Sequence, residues 1–110
     1  MCLGLLSCEA LNVTVLSGST VILPCQSPTS SYSGYFEWRF YSRSQTGGRQ
    51  IYGRSTQSAD VQESDPEHYH LHGDYGLEIS AVEWQDGGVY GCHFLTGDIV
   101  HYSSVTVVGK

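Results

Sequence analysis

The feature that most constrains this chain is an alternation of apolar and polar side chains with a period of two, repeated along most of its 110 residues. Leu11, Val13 and Val15 alternate with Asn12 and Thr14, and after a Ser17-Gly18-Ser19 turn the pattern resumes at Val21, Leu23 and Cys25. Phe36, Trp38 and Phe40 alternate with Glu37, Arg39 and Tyr41, while Tyr69 and Leu71 oppose His68, His70 and His72. Leu77 and Ile79, and then Tyr90, Cys92 and Phe94, continue it. A period of two puts every second side chain on one face of an extended strand, so each run needs an apolar layer to cover it.

Turn signals separate the runs roughly every eight to twelve residues, the rhythm of an all-β sandwich or barrel. They include the Ser-rich stretch 26–34, Thr46-Gly47-Gly48 and the hairpin signal Thr96-Gly97-Asp98. A short strand is expected at Gln50-Ile51-Tyr52, a polar, turn-like stretch over 54–67, and a last strand from about Val100 to Val108. Pro24 has no amide proton and should interrupt the ladder at the end of its strand. No heptads, sustained helical periodicity or internal repeats compete with this reading.

Composition narrows the function. The net charge of -6, with Lys and Arg together only 5, argues against a nucleic-acid partner, which needs clustered cations. Cys2, Cys8, Cys25 and Cys92 lack the C-x-x-C spacing of a zinc knuckle, so disulfides formed in an oxidising compartment fit better. Asn12-Val13-Thr14 is an N-glycosylation acceptor that suits the same compartment. Residues 1–10 read either as the tail of a secretory leader or as an extension forming the first strand, with the domain over 11–108. No apolar run is long enough to span a membrane.

Cys25, Trp38 and the run Asp86-Gly87-Gly88-Val89-Tyr90-Gly91-Cys92 together resemble the B-strand cysteine, C-strand tryptophan and D-x-G-x-Y-x-C signature of immunoglobulin domains. The cysteine spacing, with the extra short strand at Ile51-Tyr52, resembles the variable set. The resemblance implies a two-sheet antiparallel V-type sandwich with Greek-key connections, a Cys25–Cys92 bridge between the sheets, Trp38 packed on that bridge and Tyr90 as the corner tyrosine. Two positions depart from the pattern. His68 stands where an Arg commonly pairs with the motif aspartate, so a His68–Asp86 ion pair would need a protonated imidazole. The last strand, Val100-His101-Tyr102-Ser103-Ser104-Val105-Thr106-Val107, lacks the Phe-Gly-x-Gly bulge of rearranging antigen receptors. A non-rearranging immune-type receptor or an adhesion molecule is the closer resemblance.

If the aromatic positions and Ile51 face inward, alternation sends Glu37, Arg39, Tyr41, Tyr52, Gly91, His93 and Leu95 outward, joined by Tyr102. Tyr and Arg are enriched at protein interfaces, and an outward Gly91 would leave a dent for a partner side chain. Leu95 and Ile99 put apolar residues at a hairpin tip, and Tyr32 and Tyr35 belong to a first hypervariable-type loop. In the family this face mediates paired-chain, homodimeric and counter-receptor contacts. The expected partner is therefore an extracellular protein ligand or counter-receptor, with a homodimer as the alternative, for a surface ectodomain or a secreted protein.

Catalysis is not expected, since no nucleophile elbow, H-E-x-x-H or phosphate-cradling motif occurs, and no cofactor or small-molecule substrate is implied. His68, His70 and His72 share a strand face, but they spread over roughly 13 Å, too far for one tetrahedral ion; no metal site is expected.

Overall fold

The computed structural model describes residues 9–26, 32–42, 48–56, 61–94 and 99–109, with backbone alone at 9–10, 61–62 and 99–100. Cys2, Cys8, Leu95 and the Thr96-Gly97-Asp98 turn lie outside the described residues, and the side chain of Ile99 does as well. Among the described residues nine strands form: β1 (Glu9–Leu16), β2 (Val21–Leu23), β3 (Tyr35–Tyr41), β4 (Arg49–Ser55), β5 (Val61–Glu63), β6 (Tyr69–His72), β7 (Gly76–Ile79), β8 (Gly88–Phe94) and β9 (Ile99–Val108). One short 3-10 turn, Trp84–Asp86, leads into β8.

The strands make a two-sheet sandwich, as the alternation requires. A front sheet has the order β1-β9-β8-β3-β4-β5, and a back sheet has the order β2-β7-β6. All pairings are antiparallel except β1 with β9, which run parallel from Glu9↔His101 to Leu16↔Val108. β2 stops at Leu23, directly before Pro24, as a residue without a backbone donor dictates.

The core lies where the two inner faces meet. Leu23, Phe36, Trp38, Ile51, Leu77, Ile79, Val82, Tyr90 and Cys92 are fully buried. Cys25 and Cys92 form a disulfide with Cα atoms 6.4 Å apart, tying the end of β2 to β8 and hence sheet to sheet. Closing a loop of sequence separation 67 stabilises the fold by about 4 kcal/mol in the chain-entropy model. The buried indole N–H of Trp38 donates to the Tyr75 carbonyl at 2.8 Å, so its one polar atom is satisfied. Edge-to-face aromatic contacts fill the upper core: Phe36 with Tyr75 at 4.9 Å, Tyr75 with Phe94 at 5.1 Å, and Tyr32 with Phe94 at 4.7 Å between ring centroids. Tyr32, expected in a recognition loop, spends one ring face on the core.

Two features depart from the sequence expectation. The stretch expected to be turn-like contains β5, which pairs Val61 with Arg54 and Glu63 with Tyr52 at the edge of the front sheet. Its residues are too few and too polar to show a period. The short strand expected at 50–52 is seven residues long. It also carries a register shift, with Trp38 opposite Tyr52 but Arg39 opposite Gln50. Ile51 is thus an extra residue in β4, and a bulge of this kind breaks alternation.

Candidate functional site

Two polar constellations stand out, one at the base of the sandwich and one on the outer face of the front sheet. At the base, Asp86 is 5% exposed and serves three partners. Its carboxylate accepts a hydrogen bond from the Glu83 amide at 2.8 Å, which ties the start of the 3-10 turn, and another from His68 Nε2 at 2.9 Å. Its carbonyl accepts the Tyr90 hydroxyl at 2.6 Å. Burial is the main reason the Tyr90 hydroxyl is held far above the usual phenol range, so it remains a donor at every physiological pH. His68 therefore sits at the position expected from its place before β6, carrying its full charge only when protonated. The other two histidines turn elsewhere: His70 donates to the Glu67 carbonyl at 3.2 Å, and His72 lies 3.9 Å from Glu78.

The outer face is built by alternation in β3 and β8. Tyr35, Glu37, Arg39 and Tyr41 are half-buried there, while Phe36, Trp38 and Phe40 between them are buried. β8 lies antiparallel to β3, with Glu37 opposite His93 and Arg39 opposite Gly91. β9 brings Tyr102 opposite Gly91. The Arg39 guanidinium lies 3.3 Å from the Glu37 carboxylate and donates to the Gly48 carbonyl at 3.2 Å, so both charges are held in one orientation. The Tyr35 hydroxyl donates to Gln50 Oε1 at 2.9 Å.

Beside this pair, three rings close over Gly91. Tyr41 Oη and His93 Nε2 are 3.1 Å apart, and Tyr102 stands roughly edge-on to both, at 6.5 Å from Tyr41 and 6.4 Å from His93. Burial lowers the His93 pKa below its ordinary value, and burial raises that of Tyr41. At neutral pH both are therefore uncharged, and the phenol and the imidazole share a hydrogen bond whose direction is set by the imidazole tautomer.

Two expected members of this face are corrected. Tyr52 does not face outward; it is 3% exposed and packs against Phe36 at 6.1 Å, because the β4 bulge flips it into the core. Gly91 does lie on the outer face, but it leaves no dent. A Cβ there would come within 2.9 Å of His93 Nε2 and 3.0 Å of Tyr102 Cε1, so the space is already filled by the chain's own rings. Glycine at this position is what lets His93 and Tyr102 approach each other over the β8 backbone. Glu37, Arg39, Tyr41, His93 and Tyr102 are thus brought together as one half-buried surface. Sequence reasoning missed the contribution of Tyr35 and Gln50 and the bond between Tyr41 and His93. Alternation names the face, but not the diagonal reach of long side chains across it.

The family model of the immunoglobulin V-set domain matches residues 9–108. No curated protein sequence matches the chain. Among solved structures, the extracellular domains of the voltage-gated sodium channel beta4 subunit, described as parallel homodimers with a role in cell-cell adhesion, superpose with a TM-score of 0.72 at 23% identity, covering 92% of this chain and 87% of that one. A second structure, from work on multimeric cell-adhesive interactions of sodium channel beta subunits, gives 0.73 at 20% identity over 92% and 93% of the two chains. The V domain of amphioxus IgVJ-C2 gives 0.66 at 16% identity over 88% of this chain and all (100%) of that one.

Proposed function

Because the chain belongs to the immunoglobulin V-set family, we propose that it is an extracellular protein-recognition domain of an immune-type receptor. It docks its partner on the outer face of β3, β4, β8 and β9. The observation that carries this is the surface formed by Glu37, Arg39, Tyr41, His93 and Tyr102, whose charges and rings are fixed by one another before any partner arrives. Preorganised side chains lose little conformational entropy on binding, and Tyr and Arg are the residue types that most often anchor interfaces. Nothing in this arrangement resembles a nucleophile with its base, and the reading is of a binding module, not an enzyme.

A second reading is a homophilic adhesion module using the same face. Its support is the described homodimeric and cell-adhesive character of the sodium channel beta-subunit ectodomains that share the fold. Sedimentation velocity over the micromolar range separates the two: a homophilic module dimerises with rising concentration, and a receptor for another protein stays monomeric. For the leading reading, the multimerised domain is applied to an array of purified cell-surface ectodomains. Binding should be lost in Arg39→Glu and weakened in Tyr41→Ala, with melting temperatures kept. Binding untouched by both substitutions would remove this face from consideration.

A further inference from the structure

Asn12 and Thr14 of the acceptor motif Asn12-Val13-Thr14 take part neither in the core nor in the surface just described, and their position in the fold gives them a specific consequence. Asn12 and Thr14 are exposed on β1, paired with Ser104 and Thr106 of β9. Val13 between them pairs with buried Val105 and is packed against the core. Asn12 and Thr14 therefore project from the outer face of the front sheet, the same face that carries Tyr41 and His93. β1 is the edge of that sheet among the described residues, and no further described strand crowds the acceptor amide.

The outer face is also divided by composition. Around the acceptor its β1–β9 side shows Asn12, Thr14, Ser104 and Thr106, all small and polar, with the exposed pair Leu16 and Val108 at the far end of the two strands, whereas Arg39, Tyr41 and His93 lie on β3 and β8. The one large ring from β9, Tyr102, leans over Gly91 toward β8. Small hydroxyl side chains are poor interface anchors, while Arg and Tyr are good ones. Asn12 shares a cross-strand row with Ser104, Val89 and Tyr41. That row places it three strand spacings, about 14 Å, from Tyr41. Gln50 lies on β4, one strand farther from β1, opposite Arg39 and two residues along from that row.

We propose that Asn12 carries an N-linked glycan, and that this glycan screens the β1–β9 side of the front sheet and confines partner contact to the β3–β4–β8 side. The chemistry is transfer from a lipid diphosphate-linked oligosaccharide in the secretory pathway. A bond forms between the anomeric carbon and Asn12 Nδ2, and the bond from that carbon to the diphosphate oxygen breaks. The lipid diphosphate departs with the electron pair, and the amide proton passes to a base of the transferase. The confinement of the partner rests on the docking face proposed above; the glycan and its screening do not.

The test keeps these separate. The chain is secreted from eukaryotic cells behind a heterologous leader, and its intact mass is read before and after treatment with a peptide N-glycosidase. The expected result is a mass above that of the polypeptide which collapses on treatment, leaving aspartate where Asn12 stood. Asn12→Gln and Thr14→Ala should lose the added mass, and Thr14→Ser should retain it. Secretion of the parent chain at the bare polypeptide mass overturns the proposal. Screening is read without any partner, by the rate at which a polymer-bearing maleimide labels Ser104→Cys and, in a separate variant, Gln50→Cys, with the labelled peptide identified by mass. Removing the glycan should speed labelling several-fold at Ser104→Cys and leave Gln50→Cys unchanged. Equal rates at Ser104→Cys before and after removal overturn the screening. Arg39→Glu insensitivity with both glycan results intact would instead count only against the docking face.

Discussion

The two faces of β3 and β8 are made from the same backbone and do opposite work. On the inner face, Phe36, Trp38, Phe40, Tyr90, Cys92 and Phe94 are buried among one another, their few polar atoms satisfied by backbone partners. On the outer face, Glu37, Arg39, Tyr41 and His93 are only half-buried and bond mainly to each other. The inner set is held by packing, which tolerates little change in volume. The outer set is held by a few polar contacts in partial contact with solvent, which are individually weak. Substitutions inside should therefore cost stability, and substitutions outside should cost recognition with stability nearly kept.

The contrast is most exposed to test at its centre. Trp38→Ala, read by chemical denaturation, should lose about 3–5 kcal/mol, the ordinary cost of truncating a buried indole. A loss under about 1 kcal/mol would show that the inner face is not packed as described. Asp86→Ala removes the acceptor for both His68 and the Glu83 amide and should cost about 2 kcal/mol. Smaller again is Ser103→Ala, and its sign is reversed: Ser103 is 1% exposed and its hydroxyl meets no hydrogen-bond partner among the described residues. Removing that oxygen should raise stability by about 1 kcal/mol. On the outer face, Arg39→Glu should shift stability by less than about 0.5 kcal/mol.

The smallest effect is a pH dependence. His93 has a pKa lowered mainly by burial from an ordinary value of 6.5. The folded chain resists protonation there while the unfolded chain does not, so its contribution to stability is complete above about pH 6.5 and declines as pH falls toward the lowered value. The stability difference between parent and His93→Gln should narrow on acidification from neutral pH; a difference that stays constant would break this account.

Much of the inner face could be read in the sequence because it obeys one simple rule. Alternation assigns Phe36, Trp38 and Phe40 to one side, and the spacing of Cys25, Trp38, Tyr90 and Cys92 has a mechanical reason at each position. The position of His68 in the same pattern also points to Asp86 as its partner, and the two lie 2.9 Å apart. What escaped were departures from the rule. The β4 bulge inserts Ile51 and sends Tyr52 inward, and no local signal in Gln50-Ile51-Tyr52 marks it. β5 is too short and polar to carry a period. The ring cluster over Gly91 depends on which side chains are long enough to meet diagonally across three strands. Such a contact is decided by tertiary register and not by any local stretch of sequence.

The parallel run of β1 along β9 has a mechanical consequence. Glu9 lies beside His101 near the start of β9, and Leu16 lies beside Val108 at its end. A force drawing residue 9 and residue 108 apart would slide these two strands past each other along their length. The evenly spaced, slanted hydrogen bonds of a parallel pair would then be sheared together, not peeled one at a time. A domain clamped in this way resists tension better than one whose terminal strand can be unzipped from an end.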